Sequence, residues 1–278
     1  MNLPDDLLST VQQALHEDIR TGDINALLIP ESRQATAQVI SRESAILAGS
    51  AWFNAVFQQI DPSLRIQWEV QEGQEVSPNQ RLCTLSGAAR TLLTGERTAL
   101  NFLQVLSGTA TQARRYVQAV QHTHAKILDT RKTLPCLRSA QKYAVLCAGG
   151  VNHRMGLYDA FLLKENHIAA AGSIRAAVAA AQKLRPELPI EVEVETLAQI
   201  PEAIAAGATR LLLDNFTLEM LREAVALVQG KVSLEASGGV NLETVVAIAE
   251  TGVDFISVGA MTKDVRALDL SMRIVEIV

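Results

Sequence analysis

The sequence has no run approaching the roughly 18 uninterrupted apolar residues of a membrane span, and its start, MNLPDDLLST, has neither a basic n-region nor an apolar h-region. A soluble protein that stays in the compartment of its synthesis is expected. Cysteine is scarce. Cys83, Cys136 and Cys147 are odd in number, far apart and form no C-x-x-C pair, so neither a disulfide framework nor a zinc knuckle is indicated. Each reads as a small buried hydrophobe in a reducing cytoplasm. A surplus of positive charge is missing too: 25 Lys+Arg stand against 30 Asp+Glu, a net charge of −5, which argues against general binding of nucleic acid or an anionic membrane surface. Also absent are G-x-x-x-x-G-K-[ST], a G-x-G-x-x-G behind a strand, H-E-x-x-H and G-x-S-x-G. P-loop nucleotide hydrolysis, dinucleotide-dependent redox chemistry, zincin proteolysis and the α/β-hydrolase triad lose support with them.

What is present is globular. In 278 residues, 48% are hydrophobic and 20% charged, which suits one large domain or two smaller ones and excludes global disorder. The chain changes rhythm near residues 115–125. Before that point Gln34 to Arg42, Leu64 to Val70 and Arg81 to Leu85 alternate apolar with polar residues, as half-buried antiparallel strands do. Ser50 to Gln59 has helical spacing, and a long helix is expected from Arg90 to Val120 with a break at Ser107 and Gly108.

The second half repeats short apolar runs, each followed by a helix-length segment: KILD (126–129), AFLLK (160–164), IEVEV (190–194), RLLLD (210–214), VSLEA (232–236) and DFISV (254–258). From Ile190 the period is about 20–22 residues, that of a βα unit with a short helix. Six such strands predict an incomplete or open (β/α) barrel.

In a parallel barrel the chemistry sits at the carboxyl ends of the strands. Those ends are polar throughout. The first run leads into Thr130, Arg131, Lys132 and Thr133, the second into Lys164, Glu165, Asn166 and His167; the third contains Glu193 and ends at Glu195, and the fourth reaches Asp214 and Asn215. The fifth and sixth give Ser237-Gly238-Gly239 and Val258-Gly259-Ala260, small residues where backbone N–H groups can meet a phosphate, with a helix start expected directly behind each. Charge is uneven as well: residues 126–164 hold seven basic against two acidic residues, a local +5 within an acidic chain. Clustered Arg and Lys suit a small polyanion. Glu193 and Asp214 offer hard oxygens to Mg²⁺ or to ribose hydroxyls. His16, His122 and His124 are expected at the surface, and His167 in a structural hydrogen bond.

GERTALN (95–101), DTRKT (129–133), GGVNHR (149–154), LKENH (163–167), EVEVE (191–195), LLDN (212–215), SGGV (237–240) and SVGA (257–260) together resemble the quinolinate phosphoribosyltransferase family over nearly the whole chain. The resemblance implies an α/β fold: an N-terminal α+β sandwich-like domain (1–115), an incomplete (β/α) barrel catalytic domain (116–270), and a tail (271–278) packing back on the N-terminal domain. It implies a pentosyltransferase that converts quinolinate and phosphoribosyl pyrophosphate, with Mg²⁺, to nicotinate mononucleotide, pyrophosphate and CO₂ in NAD biosynthesis. A cytoplasmic homodimer with a shared site follows, Arg97 reaching a quinolinate carboxylate across the dimer. By motif, Thr130, Arg131, His153 and Arg154 belong to the substrate site, the last three as a dicarboxylate clamp. Lys132 and Lys164 serve the phosphoribosyl pyrophosphate side, Glu193 and Asp214 the ribose and metal, and Ser237, Gly238, Gly239, Val258, Gly259 and Ala260 the 5′-phosphate. Lys132, Lys164, Glu193 and Asp214 are the catalytic set. Cys136 and Ala148 stand where the family usually has Gly. Three alternatives stay open: a related phosphoribosyltransferase for another carboxylated heterocycle, a Schiff-base aldolase using Lys164, and a non-catalytic phosphosugar sensor.

Overall fold

Alternating residues leave a strand one face to bury, and in the computed structural model of the chain, which describes residues 1–278, every second residue of Gln34–Ser41 from Ala35 onward is buried. Twelve strands form: β1 (Gln34–Ser41), β2 (Ala45–Ile46), β3 (Arg65–Trp68), β4 (Glu75–Val76), β5 (Arg81–Ala88), β6 (Lys126–Leu128), β7 (Phe161–Leu163), β8 (Ile190–Val194), β9 (Arg210–Asp214), β10 (Ser233–Ser237), β11 (Phe255–Ser257) and β12 (Leu270–Ile277). They divide between two compact units.

The first unit comprises residues 1–114, 133–149 and 261–278. Its main sheet is antiparallel in the order β12-β1-β5-β3, so residues 271–278 enter it within or directly after the edge strand β12, which pairs with β1 from Ser41↔Leu270 to Ala35↔Ile277. The helix Ser50–Ile60 buries Trp52, Phe53, Val56 and Phe57. Phe53 meets Phe57 and Trp68 at ring separations of 5.2 and 5.4 Å, contacts that each add about 1 kcal/mol beyond burial.

The long helix runs from Ala89 to Ala119, and the break expected at Ser107 and Gly108 does not occur. Both residues serve packing instead. Ser107 Oγ accepts from Ala48 N and donates to Ala48 O, each at 3.0 Å, and a Cβ on Gly108 would lie 2.2 Å from Arg266 O. A polar or small residue inside a helical pattern therefore marked a close neighbour rather than a stop.

Residues 133–149, sequentially between β6 and β7, cluster with this first unit. The cause is the helix Arg138–Cys147, whose Tyr143 packs 5.2 Å from Trp52 while Gln141 Nε2 donates to Thr262 O at 2.9 Å. Arg138 and Lys142, counted in the basic island, thereby leave it, and Lys142 is fully buried.

The second unit comprises residues 115–132 and 150–260. All six apolar runs become strands of one parallel sheet in the order β6-β11-β10-β9-β8-β7. Its edges β6 and β7 do not pair with each other, which leaves six strands of an open barrel. The sheet still curls, because residues following β6 and residues of β7 line one cleft.

Candidate active site

That cleft, about 410 Å³, lies at the carboxyl ends of the strands. It gathers Thr130, Arg131 and Lys132 after β6, His153 and Arg154 from the following loop, Lys164 after β7, Glu193 on β8, Asp214 ending β9 and Ser237 ending β10. Nine of the residues expected from sequence thus meet in one place. Arg97 is not among them: it sits on the exposed side of the helix Ala89–Ala119 in the first unit, its side chain 61% exposed. Gly238, Gly239, Val258, Gly259 and Ala260 are not on the cleft wall either. Gly259 supports it from behind, because a Cβ there would lie 2.9 Å from Lys132 Cδ. Gly238 takes a left-handed φ of 98°, and a Cβ would fall 2.1 Å from Asn215 Oδ1, so any other residue would strain the backbone and displace Asn215. The helix start expected directly behind SGG is missing: the next helix begins at Val245 and has five residues. Behind SVG the helix starts at Ala260 and has four.

Buried Asp129, the first residue of DTRKT, shapes the loop that carries His153 and Arg154. Its Oδ1 accepts from His153 N at 2.9 Å and its Oδ2 from Asn152 Nδ2. Arg154 N in turn donates to His153 Nδ1 at 2.7 Å, and Arg154 Nη1 to Ala160 O at 3.3 Å. Burial, with the like charge of Arg131 second, lowers the Arg154 pKa. His167 Nδ1 accepts from Lys164 N at 3.1 Å, a structural hydrogen bond at a helix start.

Lys164 Nζ pairs with Glu193 Oε2 at 2.5 Å. Burial pushes the Glu193 carboxyl up; Lys164 opposes this, and the charge of Asp214 adds to it. Two hard carboxylates on adjacent strands, close enough to repel, fit a divalent cation such as Mg²⁺. Cys136 adopts φ 62°, the left-handed conformation that favours Gly, whereas Ala148 has an ordinary φ of −82°. Only the first of the two departures from the family pattern strains the backbone.

Three charged residues lie deeper and escaped the sequence reading. Glu191 on β8 and Glu235 on β10 stand inside apolar runs, and Arg210 opens β9, so a rule that looks only at the carboxyl ends of strands passes over all three. Glu235 is fully buried, and its pKa is pushed up to about 8 by burial first and then by Glu191. His153 Nε2 lies 3.0 Å from Glu191 Oε2 and 3.5 Å from Glu235 Oε2. The three side chains could by spacing hold a cation. The acceptor role of Nδ1 argues otherwise, since it puts the ring proton on Nε2, where a metal would need a lone pair. A larger cleft of about 570 Å³ at the amino ends of the strands shares His153 and Arg154 but carries no lysine.

Descriptions of the N- and C-terminal domains of quinolinate phosphoribosyl transferase match residues 18–107 and 109–273. The chain belongs to the quinolinate phosphoribosyltransferase family. It is 43% identical over 270 residues to nicotinate-nucleotide pyrophosphorylase [carboxylating] of Mycobacterium leprae, covering 95% of each chain. Among solved structures it is similar to the nicotinate-nucleotide pyrophosphorylase from Francisella tularensis, with a TM-score of 0.95, 48% identity and 98% of each chain covered. It is likewise similar to NadC from Streptococcus pyogenes, with a TM-score of 0.95, 37% identity and 100% and 99% covered. The α/β architecture with a parallel six-stranded sheet is thus the fold of this transferase family. No helix is long and apolar enough to cross a membrane.

Proposed function

We propose that quinolinate and phosphoribosyl pyrophosphate react at the carboxyl-end cleft of the second unit, in the phosphoribosyl transfer and decarboxylation for which the family is named. The observation that carries this reading is the convergence of Arg131, Lys132, Arg154 and Lys164 with Glu193 and Asp214 in one 410 Å³ cleft. Two polyanions repel each other, and the site must hold both; four cations from three separate loops supply that field. Arg131 and Arg154 take the dicarboxylate, the task for which planar guanidinium groups are suited. Lys132 and Lys164 face the pyrophosphate. The pyridine nitrogen displaces pyrophosphate at C1 of the ribose through a transition state with oxocarbenium character, which the carboxylates Glu193 and Asp214 stabilise. No protein nucleophile is required. The bond between the ring and the adjacent carboxylate then breaks: CO₂ leaves, the electron pair stays on the ring carbon beside the positively charged nitrogen, and a proton from water takes the vacated position.

Glu193 and Asp214 are the residues that would hold Mg²⁺, which supplies charge neutralisation for the leaving pyrophosphate. The exposed glycines 238 and 239 and the segment 258–260 are assigned to the 5′-phosphate. Arg97 is held only by a 3.9 Å contact with its neighbour Glu96, and we assign it to the site of a second copy in a homodimer. Three free thiols support residence in the reducing cytoplasm.

The test is CO₂ release by the purified protein supplied with quinolinate, phosphoribosyl pyrophosphate and Mg²⁺, with nicotinate as control acceptor. Release that requires all three components is expected; nicotinate ribosylated as readily as quinolinate, read as pyrophosphate release, would sink the substrate assignment. The shared site has its own test. Mixing Arg97→Ala with Lys164→Ala subunits should restore activity in the hybrid, and a mixture no more active than its parts would refute it.

A further inference from the structure

Glu191, Glu235 and Arg210 have no part in the chemistry above, yet they lie directly beneath it, two residues before Glu193, two before Ser237 and four before Asp214 on their strands. Ordinary structural carboxylates are satisfied. These are not: Glu191 Oε1 and Glu235 Oε1 are buried without a hydrogen-bond partner. Burying two carboxyls in this way costs stability, so their retention calls for a task.

The hydrogen-bond directions around His153 supply one. Arg154 N–H donates to Nδ1 at 2.7 Å, so Nδ1 carries no proton. The ring proton of the neutral imidazole is therefore on Nε2, which lies 3.0 Å from Glu191 Oε2 and 3.5 Å from Glu235 Oε2, so that both carboxyls face the N–H. Glu191 and Glu235 neighbour each other, so a proton on Glu235 shared with Glu191 would answer oxygens that no other group meets. Arg210 Nη1 donates to Glu235 Oε2 at 3.3 Å, and the Arg210 guanidinium is held 4.2 Å above the Phe255 ring. A continuous chain therefore runs from Arg210 and the carboxyl pair through the His153 ring to the backbone of Arg154.

We propose that Glu191 and Glu235 are positioning residues for quinolinate binding: they fix His153 as the Nε2–H tautomer, and the ring then fixes the backbone turn from which Arg154 presents its guanidinium. The inference rests on the assignment of Arg154 to the dicarboxylate. It explains why the two carboxyls are tolerated so deep in the sheet, and why a histidine with both ring nitrogens engaged precedes the arginine. Burial of Glu235, which favours its protonated form, fits its place as the donor of the pair.

Two measurements test it. In ¹⁵N-histidine-labelled enzyme, the signal lost in His153→Asn should report an Nε2–H ring with a bare Nδ1. A ring protonated on Nδ1 with bare Nε2, the form a bound metal ion would need, overturns the proposal, as does a doubly protonated ring at neutral pH. In kinetics, Glu191→Leu and Glu235→Leu should raise the quinolinate KM about tenfold or more, the usual size of effects transmitted through an oriented histidine. The KM for phosphoribosyl pyrophosphate should stay nearly constant. Glu235→Gln should recover most of the loss, because its amide N–H donates where the acid did. Equal rises in both KM values, or none in a folded leucine variant, overturn the proposal. If the leucine variants do not fold, Glu191→Gln and Glu235→Gln, with the His153 signal, decide it: a changed tautomer in Glu235→Gln would refute the donor role. Failure of the underlying assignment would show separately, as an Arg154→Ala enzyme with an unchanged quinolinate KM.

Discussion

Glu72 in the first unit and the pair Glu191 and Glu235 in the second are carboxylates near a core that meet opposite fates. In the first unit Glu72 is half-buried and well used: its carboxylate accepts from Gly49 N at 3.0 Å and from Ser50 N at 2.6 Å, at the start of the helix Ser50–Ile60. Such a group answers donors that a helix start leaves unpaired, and it accepts from the Cys147 thiol at 3.5 Å besides. In the second unit Glu191 and Glu235 sit on strands, where no backbone donor needs them, and each keeps an oxygen without a partner. The contrast separates charge that completes a fold from charge that the fold is made to carry. Burial alone does not distinguish the two; satisfaction does.

If the distinction is sound, substitutions in the second unit should act on kinetics and those in the first on stability. The largest effect is expected from Lys164→Ala, which removes a preorganised cation beside Glu193 and should lower kcat/KM by about 10²–10³-fold with little change in Tm. A loss confined to Tm would erase the contrast. Glu72→Ala should do the reverse: it leaves the N–H groups of Gly49 and Ser50 without their acceptor and should cost about 1–2 kcal/mol in denaturant unfolding, with kcat and both KM values unchanged. The smallest effect is expected at Cys136, held at φ 62°. Cys136→Gly should stabilise the protein by about 0.5–1 kcal/mol, relief of left-handed strain exceeding the added freedom of the unfolded glycine. A destabilised variant would mean that the thiol's contacts outweigh the strain.

Much of this was legible in the sequence, for identifiable reasons. Strands buried on both faces are written as continuous apolar runs, so all six strands of the parallel sheet could be placed, and the polar residues after them pointed to the rim. The two-residue strands β2 and β4 left no periodicity to read. Ser107 and Gly108 suggested a break because their reasons, Ala48 and the Arg266 carbonyl, are distant in sequence. The count of charge over residues 126–164 included Lys142, which is buried in the other unit, since a sum along the chain carries no information about which sheet a helix joins. Glu191 and Glu235 were visible all along as charges inside apolar runs. The search for chemistry at strand ends passed over the layer that holds those ends in place.

The pairing of β12 with β1 has a consequence for how the protein is made. A ribosome delivers the chain from its amino end, and domains generally fold as they emerge. Here the unit begun first is finished last, because one of its four main-sheet strands lies beyond every residue of the other unit. During synthesis β1 therefore presents an open edge to the cell until residues 270–277 arrive to cover it. That interval, rather than any feature of the finished enzyme, is when the first unit is most exposed to aggregation and to chaperones.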